Sequence, residues 1–134
     1  MREVRAETYE KELLQGNDIS VEKRGENRVR VKMHRTGKRP LTFEGELLAA
    51  VSTSLDRNSP LWSETDGLWE RITVWRTKRG DYVVGVVTYT MWVGARTVYE
   101  GERFVDLDRM VDWLEERVSS VASRKVLEEL GRVV

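Results

Sequence analysis

Apolar and polar residues alternate over much of the segment 69–105, a pattern that is typical of β-strands. Two glycine-containing turns divide this segment. Lys78-Arg79-Gly80 fits a three-residue hairpin loop with glycine in the left-handed conformation, and Gly94-Ala95 fits a two-residue turn with glycine in first place. The pattern therefore predicts a three-stranded antiparallel meander over about 69–78, 81–93 and 96–105.

The same turns predict which residues of the meander lie opposite one another. The first turn pairs Val74 with Val84, and the second pairs Thr90 with Tyr99 and Val84 with Val105. One face then carries Ile72, Val74, Val84, Val86 and Val105. The opposite face carries Trp75, Val83, Val87, Tyr89, Met91, Val98 and Phe104, edged by Arg71, Glu100 and Glu102, with Arg71 and Glu102 placed to bridge across Val87. Because the middle strand is apolar on both faces, both faces need a covering layer.

Helical periodicity follows the meander. Asp106 is a favourable N-cap, and the apolar residues after it predict a helix over about 107–118. A second helix is predicted over about 120–130, with Gly131 as its stop. These two helices supply a cover for one face of the sheet.

The N-terminal half carries weaker patterns. Residues 3–15 predict a short helix with an incomplete apolar stripe of Val4, Tyr9, Leu13 and Leu14. A hairpin is predicted over about 19–22 and 28–34. Residues 41–55 fit two interpretations, because Leu41 and Phe43 alternate as in a strand whereas Leu47, Val51 and Leu55 recur at helical spacing. A helix beginning near Glu44 is favoured, and the whole pattern predicts a single α+β domain over residues 1–134.

Composition excludes several kinds of site. The 134 residues include no cysteine and one histidine, His34, which rules out disulfides, thiolate metal sites and sites with two imidazoles. The sequence accordingly predicts no metal and no cofactor. No apolar run approaches the roughly 20 residues that cross a bilayer, and no signal-peptide pattern is seen, so a cytoplasmic protein without membrane contact is expected. Few Asn and Gln beside many Glu and Arg are typical of heat-adapted proteins.

The net charge is zero, but the charges are unevenly distributed. Between Lys23 and Arg39 there are eight basic residues and one acidic residue, Glu26. The candidate nucleic-acid-binding residues in this segment are Arg28, Arg30, Lys32, His34, Arg35, Lys38 and Arg39, since a row of cations is able to follow a phosphate backbone. The alternative is that these charges protect an edge strand from pairing, or meet the acidic C-terminal helices.

Five tryptophans are many for this length, and aromatic residues are enriched at interfaces. Trp75, Trp92 and Trp113 are assigned to the core. Trp62, Trp69, Tyr89 and Met91 are the candidate interface residues. The two apolar faces of strand 82–93 also predict a homodimer.

Catalytic motifs are poorly represented. Neither a nucleophile elbow nor a phosphate-binding glycine loop is present. Glu100 and Glu102 share a predicted strand face, but Arg71 opposite them explains both carboxylates as structural partners. No catalytic residue is therefore assigned.

The segment from Ile72 to Val84, together with Trp92, Gly94 and Arg96-Thr-Val-Tyr99, resembles small uncharacterised bacterial proteins carried on plasmids and prophages, among them the EXLDI group. The likeness covers about a quarter of the chain. That group is named for a C-terminal Leu-Asp-Ile ending, whereas this chain ends Leu127-Glu-Glu-Leu-Gly-Arg-Val-Val. The resemblance implies a mobile-element context, in which small binding or regulatory proteins occur, and implies no activity.

The favoured hypothesis is a non-enzymatic binding or regulatory module that acts through contacts with an unknown protein partner. One alternative is nucleic-acid or other polyanion binding through the basic hairpin 23–39. The other is a small enzyme of unknown reaction.

Overall fold

The computed structural model describes residues 19–23, 29–65 and 67–133. These residues form six strands and two helices. The strands are β1 (Ile19–Lys23), β2 (Val29–Arg35), β3 (Lys38–Ser52), β4 (Leu68–Thr77), β5 (Tyr82–Thr90) and β6 (Val98–Phe104), and the helices are α1 (Leu107–Arg117) and α2 (Ser120–Val133). The predicted helix over 3–15 lies outside the described residues.

All six strands lie in one sheet, in the order of the sequence, and each pairs antiparallel with the next. This arrangement confirms the predicted α+β class with an antiparallel sheet and C-terminal helices. Within the described residues, neither helix is long and apolar enough to cross a membrane.

The β4–β5 hairpin turns at Gly80, which has a φ of 95°. Val74 lies opposite Val84, the partner given by a three-residue loop at this position. Asp81 accepts a hydrogen bond from the Thr77 hydroxyl and lies 3.4 Å from the guanidinium of Arg103. The turn is therefore fixed both by its glycine and by side chains that close its base.

The predicted register between β5 and β6 is wrong by three residues. Val84 lies opposite Glu102 rather than Val105, and Thr88 lies opposite Val98. The cause is the turn, because Ala95 N–H donates to Trp92 O and Gly94, with a φ of 86°, takes the third turn position rather than the second. The resulting loop spans residues 91–97.

A shift by an odd number of residues exchanges the two faces of β6. Phe104 therefore faces the helices, where its ring packs against Trp113. Val105 is 87% exposed rather than part of the apolar patch. The expected bridge from Arg71 to Glu102 across Val87 is also wrong, because the residue opposite Val87 in β6 is Tyr99.

Residues 38–52 form the long strand β3, so the favoured helix beginning near Glu44 is wrong. The register against β4 shifts between Leu47 and Ala49, which is the signature of a β-bulge. The extra residue moves the apolar positions from one face to the other. Leu47 and Val51 therefore point to opposite faces of the sheet although they are four residues apart. Apolar residues at this spacing are also typical of one side of a helix, which is why the sequence favoured a helix here.

The helices cover one face of the sheet, called here the helix-side face. Asp106 caps α1 by accepting a hydrogen bond from Asp108 N–H at 2.8 Å, and α2 continues through Gly131 to Val133, past the predicted stop. Glu70 accepts hydrogen bonds from the backbone and hydroxyl of Ser119, which joins β4 to the start of α2. The helix-side core contains Ala49, Val51, Ile72, Val74, Val84, Val86, Met110, Leu114, Val118, Ala122, Val126 and Leu130.

The other face, called here the inner face, is covered by the sheet itself. The sheet curls so that β2 approaches β6. Met33 lies directly over Gly85 and Gly101, where an added Cβ would fall 2.7 Å and 2.8 Å from Met33 side-chain atoms. The inner core contains Val29, Val31, Met33, Phe43, Trp75 and Val83. The middle of β5 is thus covered on both sides by its own chain.

Candidate interaction surfaces

Exposed apolar side chains lie at the open end of the β4–β5 hairpin, where β4 begins and β5 leads into the β5–β6 loop. Val93 is fully exposed, Met91 is 59% exposed and Trp92 is 54% exposed. Leu68 and Val98 are also exposed, on the strands that flank β5. We call these five residues the tip surface: Leu68, Met91, Trp92, Val93 and Val98.

Backbone contacts hold the tip surface in place. Met91 N–H donates to Gly67 O at 2.9 Å, and Trp92 N–H donates to the Thr90 hydroxyl at 3.1 Å. The Trp92 indole lies over Gly67, where an added Cβ would come within 2.5 Å of Nε1. Gly67 therefore allows the indole to lie directly on the backbone, and hydrogen bonds from Met91 and Trp92 hold the start of the exposed loop.

Three of the four predicted interface residues lie together. Trp69 and Tyr89 are cross-strand partners whose rings stack at a centroid distance of 5.1 Å, and Met91 is the first residue after β5. Trp62 lies instead in the loop between β3 and β4, where it forms a bridge with Ser54 and the guanidinium of Arg57 lies 5.8 Å from its ring centroid. Of the four predicted residues, Met91 thus belongs to the tip surface, Trp69 and Tyr89 lie next to it, and Trp62 lies in another loop.

Trp92 was assigned to the core from its sequence position, and Val93 was not assigned to any site. Both are central to the tip surface. The available signal was the run Met91-Trp92-Val93 directly before Gly94, because turns are usually polar and three consecutive apolar residues at a turn are an exception that functional surfaces explain.

The basic hairpin is divided between two environments. On β2, Arg30, Lys32 and His34 are exposed while the residues between them are buried. Arg30 lies opposite Glu44 of β3, so an acidic residue adjoins the row. Lys38 and Arg39 are exposed at the start of β3. Arg28 lies outside the described residues.

Arg35 has a structural position rather than a place in the exposed row. Its Nη1 donates to Gly101 O at 3.3 Å and its Nε donates to Arg39 O at 2.8 Å. Glu102 lies 3.0 Å from Lys38 Nζ and 4.0 Å from Arg35 Nη1. These contacts tie the β2–β3 turn to the edge of β6. Two of the predicted nucleic-acid-binding cations, Arg35 and Lys38, are therefore paired with the carboxylate of Glu102.

A groove of about 300 Å³ lies between the β2–β3 turn, β6 and α1. Its walls include Tyr99, whose backbone exchanges hydrogen bonds with Thr36, and Trp113, whose ring lies 4.2 Å from the guanidinium of Arg117. Arg117 also lies 3.3 Å from Glu100. The five charged residues of the groove are Arg35, Lys38, Glu100, Glu102 and Arg117, and each forms an ion pair with another member.

The described residues contain no group of three or more His, Asp or Glu side chains that is arranged to hold a metal ion. Glu100 and Glu102 lie on the helix-side face of β6, and each is paired with a cation. Their pairing partners are Arg117 and Lys38 rather than the Arg71 that the predicted register placed opposite them.

Comparison with known proteins gives no match to a family model, to a curated protein or to a solved structure.

Proposed function

We propose that the protein is a non-enzymatic binding module that acts through protein–protein contacts at the tip surface. The observation that carries this proposal is the exposure of Met91, Trp92 and Val93 in one loop, whose start is joined by a backbone hydrogen bond to Gly67, directly before β4. Contiguous exposed apolar surface is uncommon on monomers and marks interaction sites. Tryptophan and methionine are also among the residues enriched in such interfaces.

The shape of the tip surface indicates the kind of partner. Val93 occupies the apex of a turn that projects beyond the last paired residues of β5. A projecting apolar side chain is complementary to a concave apolar pocket. Arg96, exposed in the same loop, favours an acidic rim around that pocket. The partner is therefore a folded protein with an apolar pocket bordered by carboxylates.

The double variant Met91→Ser, Val93→Ser tests this assignment and leaves the packed Trp92 in place. Val105→Ser is the matched control, because Val105 is equally apolar and exposed but lies between β6 and α1. The protein, the double variant and the control are each used as bait in extracts of cells that express the chain, with quantitative mass spectrometry as the readout. Truncation of residues that anchor an interface typically costs about 1–2 kcal/mol each, or roughly tenfold in Kd.

We expect one partner to be recovered with the wild type and with Val105→Ser, and to be lost with the double variant. Titration of that purified partner should then give a Kd at least roughly tenfold weaker for the double variant. Equal recovery of every partner by the double variant would exclude the tip surface as the binding site.

A homodimer was expected from the two apolar faces of the middle strand. In the structure those faces are covered by the helices and by β2, so the tip surface is the apolar surface left near this strand for a second copy. Sedimentation of the wild type and the double variant over micromolar concentrations distinguishes the two occupants. A dimer that disappears in Met91→Ser, Val93→Ser would assign the tip surface to self-association.

Polyanion binding is the second candidate, and it is favoured by the exposed row Arg30, Lys32 and His34 on one face of β2. Removal of phosphate-contacting cations should reduce both affinity and its salt dependence. The test compares Arg30→Ala, Lys32→Ala, Arg39→Ala with the control Lys78→Ala, Arg79→Ala, Arg109→Ala, which removes the same charge from other exposed positions. Binding of a duplex or single-stranded oligonucleotide that falls equally in both variants, or is undetectable at low salt, contradicts this candidate.

A further inference from the structure

The outer edge of β6 lies at one end of the sheet, because β6 is the last strand in the order. Alternate residues of an antiparallel strand direct both backbone groups to the same side. Since Tyr99 exchanges hydrogen bonds with Thr36, the backbone groups of Tyr99, Gly101 and Arg103 point away from β5. Such a row of N–H and C=O groups is a template for pairing with another strand.

The β2–β3 turn lies across this edge. Thr36 N–H donates to Tyr99 O, and Tyr99 N–H donates to the Thr36 hydroxyl, each at 2.9 Å. Arg35 Nη1 donates to Gly101 O, and the aliphatic part of Arg35 packs on Gly101, where an added Cβ would lie 3.3 Å from Arg35 Cδ. The turn therefore occupies both outward groups of Tyr99 and the carbonyl of Gly101.

An ion pair completes the contact between the turn and the strand. Lys38 Nζ lies 3.0 Å from Glu102 Oε1, and Arg35 Nη1 lies 4.0 Å from the same oxygen. A strand that paired with β6 at this place would have to displace the turn and separate these charges. We call Arg35, Thr36 and Lys38 the edge latch.

The local sequence explains why the turn approaches β6. The register of β2 against β3 shifts by one residue between Met33 and Arg35, so that Arg39 and Pro40 lie opposite His34, as in a β-bulge. Proline has no N–H for the strand ladder and occurs at bulges, and Arg35 Nε donates to Arg39 O at 2.8 Å. Because a bulge bends its strand, the end of the hairpin turns out of line with the rest of β2 and meets β6.

We propose that the edge latch prevents β6 from pairing with the same strand of a second copy of the chain. Two identical strand edges pair antiparallel about a twofold axis, which is a closed arrangement that a released edge would adopt. The latch also gives Arg35 and Lys38 of the basic hairpin a role that involves no phosphate. The proposal is independent of the tip surface, because it concerns the outer edge of β6 rather than the β5–β6 loop.

The oligomeric state of a variant without the latch side chains tests the proposal. The latch variant of the full chain is Arg35→Ala, Thr36→Ala, Lys38→Ala. The matched control removes the same kinds of side chain from exposed positions of the same hairpin and leaves the latch intact: Arg30→Ala, Lys32→Ala, Thr42→Ala. In sedimentation over micromolar concentrations, the mass of the latch variant should rise toward that of a dimer, while the control sediments as the wild type does. A folded latch variant that sediments as the control does overturns the proposal.

A milder variant keeps the proposal testable if the triple substitution prevents folding. Thr36→Val preserves the size of the side chain and removes the acceptor for Tyr99 N–H, and Thr42→Val is the same change at an exposed position outside the latch. Hydrogen exchange of the dilute protein should be about tenfold faster at the Tyr99 amide in Thr36→Val, because one hydrogen bond less holds this edge closed, and unchanged in Thr42→Val. A Tyr99 amide that keeps its wild-type rate in Thr36→Val, or accelerates no more than the amides of β4, contradicts the proposal.

The substitutions at the tip surface separate the two proposals. When Met91→Ser, Val93→Ser is added to the latch variant, the dimer should persist, because its contact lies at the edge of β6. Loss of the dimer on this addition would assign the contact to the tip surface, and the latch proposal would be wrong. The latch variant should still recover the partner of the tip surface from extracts, so each proposal fails on a measurement of its own.

Discussion

At the scale of single residues, two glycines differ in the space that surrounds them. At Gly45 of β3, an added Cβ would lie 2.3 Å from the carbonyl oxygen of Arg76, a backbone atom that has little room to move. At Gly131 of α2, no atom lies within 4 Å of the added Cβ. We expect Gly45→Ala to lower the free energy of unfolding by about 1–3 kcal/mol, as overpacking does. Gly131→Ala should raise it by up to roughly 1 kcal/mol, because alanine favours the helix.

Urea denaturation of the two alanine variants beside the wild type checks this pair. Each substitution adds one methyl group, so the two variants are controls for one another. Gly45→Ala with wild-type stability would mean that β3 and β4 do not approach as closely at Arg76 as the structure places them.

Residue identity led to one member of the tip surface, Met91, and to two neighbours of it. Trp69, Tyr89 and Met91 were selected because aromatic residues and methionine are enriched at interfaces. Trp69 and Tyr89 lie side by side, and that these residues form an interface stays a prediction. Trp92 was misassigned, because a large apolar side chain is more often core than surface. Its exposure depends on the length of the β5–β6 loop, which the residue itself does not encode.

At the scale of elements, strong local signals gave correct predictions. The helices begin where Asp106 provides an N-cap and where the apolar stripe starts. The β4–β5 hairpin turns at Gly80. Both features depend on neighbours within a few residues, and such neighbours are visible in the sequence.

The errors arose where an element depends on distant contacts. β3 was interpreted as a helix because its bulge between Leu47 and Ala49 changes the phase of the alternation. That bulge accompanies the transfer of β3 from the inner core, at Phe43, to the helix-side core, at Val51. A strand that contributes side chains to two cores does not keep one alternation of apolar and polar residues along its length. Its apolar residues then fall at a spacing that is also typical of a helix.

The β5–β6 register shows the same dependence. Gly94 fits the second position of one turn type and the third position of another, and these alternatives differ in the register they impose. The edge of β6 is held by Thr36, which exchanges hydrogen bonds with Tyr99, and by Arg35, which donates to Gly101 O. These partners are more than sixty residues away in the sequence, so a local turn pattern does not reveal them.

At the scale of the whole molecule, the two cores share their central strands. Alternate residues of β4 and β5 belong to the helix-side core and to the inner core, as Val74 and Trp75 illustrate. Loss of either cover exposes one face of the same strands. The helices and the β2–β3 hairpin should therefore unfold together, as expected for a small domain with two-state behaviour.

Three methionines allow this coupling to be measured. Met110 is buried in the helix-side core, Met33 is buried in the inner core and Met91 is largely exposed. Met110→Ala and Met33→Ala should each lower the free energy of unfolding by about 2–5 kcal/mol, and Met91→Ala should change it by less than roughly 0.5 kcal/mol. In urea titrations followed by NMR, the indole signals of Trp113 and Trp75 should lose their native positions at the same midpoint in every variant. If Met110→Ala moves the midpoint of Trp113 and leaves that of Trp75 in place, the two cores are energetically separate, and β4 and β5 do not transmit the loss of one cover to the other.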